Sequence, residues 1–228
     1  MQARIAGAAA RLRTAAEYRD LSAVERAGFT QAARELLHYA HDMDGATLVP
    51  PTRVFTDRLL LADPDAPVEL HFLGRANTDG DAVAWLPTQR VLVTGDVVVA
   101  PIPFGIGSYP RDWLAVLARL RAFDFAYLVP GHGAVQRDRV YLDRLIALIT
   151  ATRAEVAALV RVGAGLEDVR AAVDLPAWID GDAWMRGWFA RYWVEPFVER
   201  VYREEAAPGS DRTSEPVGAV GERRRGPR

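Results

Sequence analysis

The chain has 228 residues, 50% hydrophobic and 25% charged, with a formal net charge of −2, so it can bury a core but sets up no overall field for nucleic acid. It contains no cysteine and no lysine, which excludes disulfides, thiolate metal sites, cysteine nucleophiles, Schiff bases and phosphate-loop lysines. No apolar run is long enough to span a membrane, and a cytoplasmic location is the expectation.

The opening MQARIAGAAARLRTAAE is Ala-rich and Arg-bearing, and its apolar part is too short for a secretory core, so an amphipathic helix is expected. Residues 3–41 read as helical, with Ser22 and Glu25 as a capping box opening a second helix through Phe29, Leu36 and Leu37. Gly45 and Pro50-Pro51 end it. Short apolar runs follow at Val54-Phe55 and Leu59–Leu61, and Val68–Leu73 reads as a strand. Ala82–Leu86 and Val91–Thr94 form a second pair of strands, joined by Pro87-Thr88-Gln89-Arg90 as a hairpin and closed by Gly95-Asp96. A loop rich in Pro and Gly leads to a helix at 112–122, with Trp113, Val116, Leu117 and Leu120 on one face. A strand at 125–129 runs into Pro130-Gly131-His132-Gly133. A helix at 138–162 and further helices at 166–173 and 182–204 follow, the last interrupted at Pro196. Residues 205–228 read as a disordered tail whose RRRGPR end is solvated. Trp184, Trp188, Phe189 and Trp193 make the C-terminal helices aromatic, which suits core or dimer packing.

Three polar residues share one kind of position. Asn77, Asp96 and His132 each lie just past the carboxyl end of a short apolar strand. If those ends share a sheet edge, the side chains collect there, where sites in sheet-and-helix folds form. Carboxylate oxygen and imidazole nitrogen both suit zinc. Singly, Gly-Asp after a strand reads as a turn and Gly-His-Gly as a loop. Their order and context carry more.

The run from Val68 to about Gln136 resembles the second half of the metallo-β-lactamase superfamily of hydrolases. The family pattern is a strand, His-Thr followed by Gly-Asp, a hairpin, Gly-Asp, a loop, a helix, a strand and Pro-Gly-His-Gly. This chain has Asn77-Thr78-Asp79-Gly80-Asp81, then Thr94-Gly95-Asp96, then Val129-Pro130-Gly131-His132-Gly133, in that order. The resemblance implies Asp96 as the catalytic, metal-bridging carboxylate, His132 as the last histidine on a second ion, and Asn77 at a position usually held by histidine. Asn supplies only a neutral carbonyl oxygen, a poorer zinc donor. One or two zinc ions and a metal-bound hydroxide attacking an ester, thioester, lactone or amide are implied for the complete fold.

The family's first ligand group, His-x-His-x-Asp-His, has no counterpart. Of four histidines, His38 and His41 lie on the second helix, where a substitute site is conceivable, and His71 sits in a strand facing solvent or the covering helices. The expected fold is therefore α/β, of the αββα metallo-β-lactamase type, shortened at the N-terminus so that mainly the second sheet remains. Its expected extent is 1–204, with a family-like core at 53–164 and C-terminal helices at 166–204. One sheet face would lack its partner, to be covered by the N-terminal helices or by a second copy in a homodimer. Two readings stand: a metal-dependent hydrolase in incomplete form acting on a small molecule, or a non-catalytic binding or assembly module. Neither involves nucleic acid or a membrane. No Ser-His-Asp pattern and no Gly-rich phosphate turn supports another chemistry.

Overall fold

A computed structural model of the chain describes residues 2–17, 22–47, 49–173, 178 and 183–206. The Glu25 half of the capping box, the Trp184 ring and the tail from 207 onward lie outside the described residues. The chain divides into two units, Met1–Val54 and Phe55–Arg228.

In the first unit, helices α1 (Gln2–Ala15) and α2 (Ala23–Asp42) pack on one another. Ala9, Ala16 and Ala33 are buried, small side chains that allow close backbone approach. Ser22 immediately precedes α2, and its carbonyl accepts the Arg26 amide at 3.0 Å. His38 Nδ1 pairs with Asp42 Oδ2 one turn on at 2.9 Å, at the helix surface.

The second unit is built on five strands in the order β1 (Arg58–Leu61), β2 (Val68–Phe72), β3 (Ala82–Leu86), β4 (Val91–Val99), β5 (Tyr127–His132). The first four pair antiparallel, and β5 runs parallel to β4 after crossing through α3 (Pro110–Leu120). The expected hairpin is present, with Leu86 opposite Val91. Its turn needs a left-handed residue at Arg90 (φ 54°), and the Arg90 side chain is held by Asp124 through a 2.7 Å ion pair.

Period-two alternation sorts the sheet into two faces. Val83, Leu92 and Leu128 are buried on one, beneath α3 and α4 (Val140–Arg161). Trp113, Val116, Leu117 and Leu120 recur at helical spacing and bury the inner face of α3, as the sequence suggests. The Trp113 indole also donates to the Val97 carbonyl at 3.0 Å, locking α3 to β4. Leu142, Leu145, Leu148, Ile149 and Val156 do the same work for α4. The opposite sheet face carries Leu70, Phe72, Val91, Val93 and Val129, all apolar and none fully buried. His71 faces the helices: it pairs with Glu69 at 2.9 Å and meets the Phe123 ring edge-on at 5.4 Å.

Several boundaries differ from the sequence reading; the strand expected at 125–129 runs over Tyr127–His132, so His132 is its last residue rather than lying past its end. Gly95-Asp96 does not close the strand that begins at Val91; β4 continues to Val99 through register shifts at Val93/Gly95 and Gly95/Val99. Val97, Val98 and Val99 are buried, and their packing carries the strand past the glycine. The C-terminal interruption also precedes Pro196. After α5 (Leu166–Ala172), α6 (Ala183–Phe189) passes into a π-helical turn, Ala190–Val194, and then into α7 (Glu195–Ala206). Pro196 comes just after the π turn, as the second residue of α7. The π turn directs Trp193 onto Phe197, stacked at 4.0 Å, with Trp113 edge-on to both. The helix extends two residues beyond the expected 204, and Glu205 pairs with Arg153 at 2.9 Å.

Candidate functional site

The β4–β5 pairing makes the site. Gly95 is opposite Pro130 and Val99 opposite His132, so the irregular ends of two parallel strands lie side by side. Asp96 and His132 emerge there with Oδ1 and Nε2 3.6 Å apart. That is beyond hydrogen-bond length and permits charge attraction if the imidazole is protonated. Both side chains are open to solvent, 39% and 59% exposed, so water competes with their mutual attraction.

The glycines are structural requirements at this edge. A Cβ on Gly131 would collide with Asp96 Oδ1, and one on Gly133 (φ 93°) would run into the Ala100 carbonyl. The Ala100 amide donates to the His132 carbonyl at 3.1 Å, so the loop after β4 is tied to the end of β5. Thr94, fully buried, directs its hydroxyl to the Gly95 and Val129 carbonyls at 3.2 and 3.3 Å. Sequence spacing did not single out Phe104, whose ring meets His132 edge-on at 5.4 Å and fixes one side of the imidazole.

Asn77 lies in the turn after β2. That turn is held by Asp81, whose carboxylate accepts the Thr78 amide and hydroxyl, both at 2.8 Å. Asp81 is therefore a turn-holding group. The Ala76 carbonyl takes the Tyr109 amide at 2.8 Å, which anchors the turn to the start of α3. Asn77 Oδ1 is buried and accepts no hydrogen bond.

These donors do not by themselves fit a zinc centre. Among the described residues no three His, Asp or Glu side chains come together in a group that could hold a metal ion. Asp96 and His132 form a pair, whereas a catalytic zinc takes three protein ligands. The orphaned Asn77 oxygen is an acceptor of the right kind but a neutral and weak one. His38, already paired with Asp42, belongs to the first unit.

No model of a known protein family matches the chain. It is 32% identical over 89 residues to a type 2 metallo-β-lactamase from Bacteroides fragilis, covering 36% of this chain and 36% of that protein. The chain thus spans about a third of the length of the curated relative it matches. Among solved structures it is similar to a stereoselective inverting sec-alkylsulfatase from Pseudomonas sp., with a TM-score of 0.55 at 16% identity over 75% of this chain and 30% of that one. It also aligns with a metallo-β-lactamase from Pontibacter korlensis at a TM-score of 0.40 and 20% identity, over 48% of this chain and 54% of that one. The described residues include no helix long and apolar enough to cross a membrane.

Proposed function

This chain is related over part of its length to the metallo-β-lactamase superfamily of hydrolases, and on that premise we propose that it carries a hydrolase half-site. In this reading Asp96 and His132 are two ligands of a metal-dependent hydrolase centre whose remaining ligands come from outside the described residues. The observation that supports it most is the 3.6 Å approach of Asp96 and His132 at the bulged ends of parallel β4 and β5. An accidental pair of surface charges would not need side-chain-free backbone beneath it, and Gly131 provides that. The implied reaction is hydrolysis of an ester, thioester, lactone or amide. Two donors hold zinc weakly, so the described residues alone are expected to catalyse no turnover.

The second reading, a binding or assembly module that keeps the pair as inherited structure, draws on the same short ligand set. Zinc separates the two. Zinc content after equilibrium dialysis, and calorimetric affinity, are measured for the wild type, Asp96→Ala and His132→Ala. Hydrolysis is assayed with ester, thioester, lactone, β-lactam and sulfate-ester substrates. The half-site reading expects weak zinc uptake that either substitution removes, and no turnover. Tight stoichiometric zinc with turnover would show a complete centre. Identical zinc behaviour in all three proteins would favour the binding module.

A further inference from the structure

A second feature of the fold is a cavity of about 370 Å³ between the loop after β4, the turn after β5, and helices α4 and α6. That volume is at the low end of the roughly 300–1,000 Å³ typical of small-molecule sites. Its walls are mostly apolar: Ile102, Leu145, Leu148, Phe189 and Trp178. Two of its polar side chains are already engaged within the protein. The Tyr141 hydroxyl is directed at the Val99 and Pro101 carbonyls at 2.5 and 3.2 Å, and the Gln136 amide donates to the Ala134 carbonyl at 2.7 Å.

Arg144 differs from both. It is the charged residue among the lining side chains, and it is exposed, so its guanidinium stands at the rim. Its contacts are a 3.3 Å hydrogen bond to the Trp178 carbonyl and a 5.6 Å approach to the Trp178 ring. Among the described residues no carboxylate pairs with it. On the same helix, Arg153 is held by both Glu204 and Glu205. With respect to the described residues, Arg144 thus keeps most of its donor fork available beside an apolar hollow.

We propose that this cavity binds a small amphipathic monoanion, its apolar body among Ile102, Leu148 and Phe189 and its anionic head on Arg144. The apolar part is drawn in by removal of surface from water, and the head by charge-assisted hydrogen bonds. A cation of the same shape is rejected by Arg144, and a neutral analogue loses the head contact. The proposal requires neither a metal nor hydrolysis at Asp96 and His132, so it goes beyond the half-site reading and can fail separately from it.

The test is isothermal titration calorimetry of the whole chain at pH 7 with octanoate, octanol and octylammonium. One-to-one octanoate binding is expected, at least tenfold tighter than octanol, with no octylammonium binding. Arg144→Gln should weaken octanoate at least tenfold and leave octanol unchanged. Ala134→Phe, at an exposed lining position, should reduce both by filling the cavity from its rim. Absence of octanoate binding, equal affinity for octanoate and octanol, or insensitivity to either substitution would overturn the proposal.

Discussion

Asp96 occupies the space that a side chain at position 131 would need: a Cβ on Gly131 would collide with Asp96 Oδ1 and stand 2.9 Å from the Asp96 amide nitrogen. Gly131→Ala must therefore push β4 and β5 apart at the site. A loss of about 1–3 kcal/mol in urea unfolding is expected from such overpacking. Gly80→Ala, where a Cβ meets nothing within 4 Å, serves as the control and should leave stability nearly unchanged.

Trp113 and Trp193 are both fully buried, but only one indole N–H has a partner. Trp113 Nε1 donates to the Val97 carbonyl at 3.0 Å, while Trp193 Nε1 is unsatisfied. Replacement of either by Phe removes a similar volume. Trp113→Phe additionally leaves a buried carbonyl unpaired, a penalty of about 1–3 kcal/mol, whereas Trp193→Phe removes an orphaned donor. Chemical denaturation should rank Trp113→Phe as clearly the more damaging; equal losses would contradict this account.

Arg153 and Glu204 join α4 to α7 with side chains only 15% and 7% exposed. Removing one partner strands the other charge in a poorly solvated place. Arg153→Met is expected to cost about 3 kcal/mol, and Arg153→Met with Glu204→Met to recover part of that loss. A double-mutant cycle measures the coupling. Full additivity would mean the pair contributes nothing.

Burial holds the Tyr141 hydroxyl protonated well above the usual tyrosine value of 10.0, against a smaller opposing pull from Arg144. A group whose pKa rises on folding contributes stability that is intact below the unfolded value and declines as pH rises past it. Unfolding free energy should therefore fall with pH above about 10, and Tyr141→Phe should make that fall shallower. Unchanged alkaline slopes in the two proteins would refute the assignment.

Asn77 buries a carbonyl oxygen without a donor. Asn77→Leu exchanges that orphan for a side chain of similar size that needs no partner. Stability should be unchanged or slightly raised, by up to about 1 kcal/mol, in a thermal or urea melt. A large loss would indicate that Asn77 makes a bond essential to the turn.

The helices α3 and α4 and the β3–β4 hairpin are legible in the sequence because their signals are local. Trp113, Val116, Leu117 and Leu120 recur at helical spacing, and Pro87–Arg90 stands between two alternating apolar runs. The ordered motifs around Asn77, Asp96 and His132 are also written in the chain. Other features depend on residues far apart in sequence. The continuation of β4 past Gly95 follows from burial of Val97–Val99 and from the Trp113 and Tyr141 hydrogen bonds to that strand. The π turn before Pro196 accompanies the packing of Trp193 and Phe197 on Trp113. The cavity beside Arg144 gathers five separate stretches of chain, around residues 100–103, 134–136, 141–148, 178 and 185–189, and no local pattern announces their meeting. Periodicity, capping and turn chemistry act over a few residues and so show in a sequence read alone. Strand register past a bulge, and the partner each buried polar group finds, come from many weak contacts between distant segments, and only the folded chain brings those contacts together.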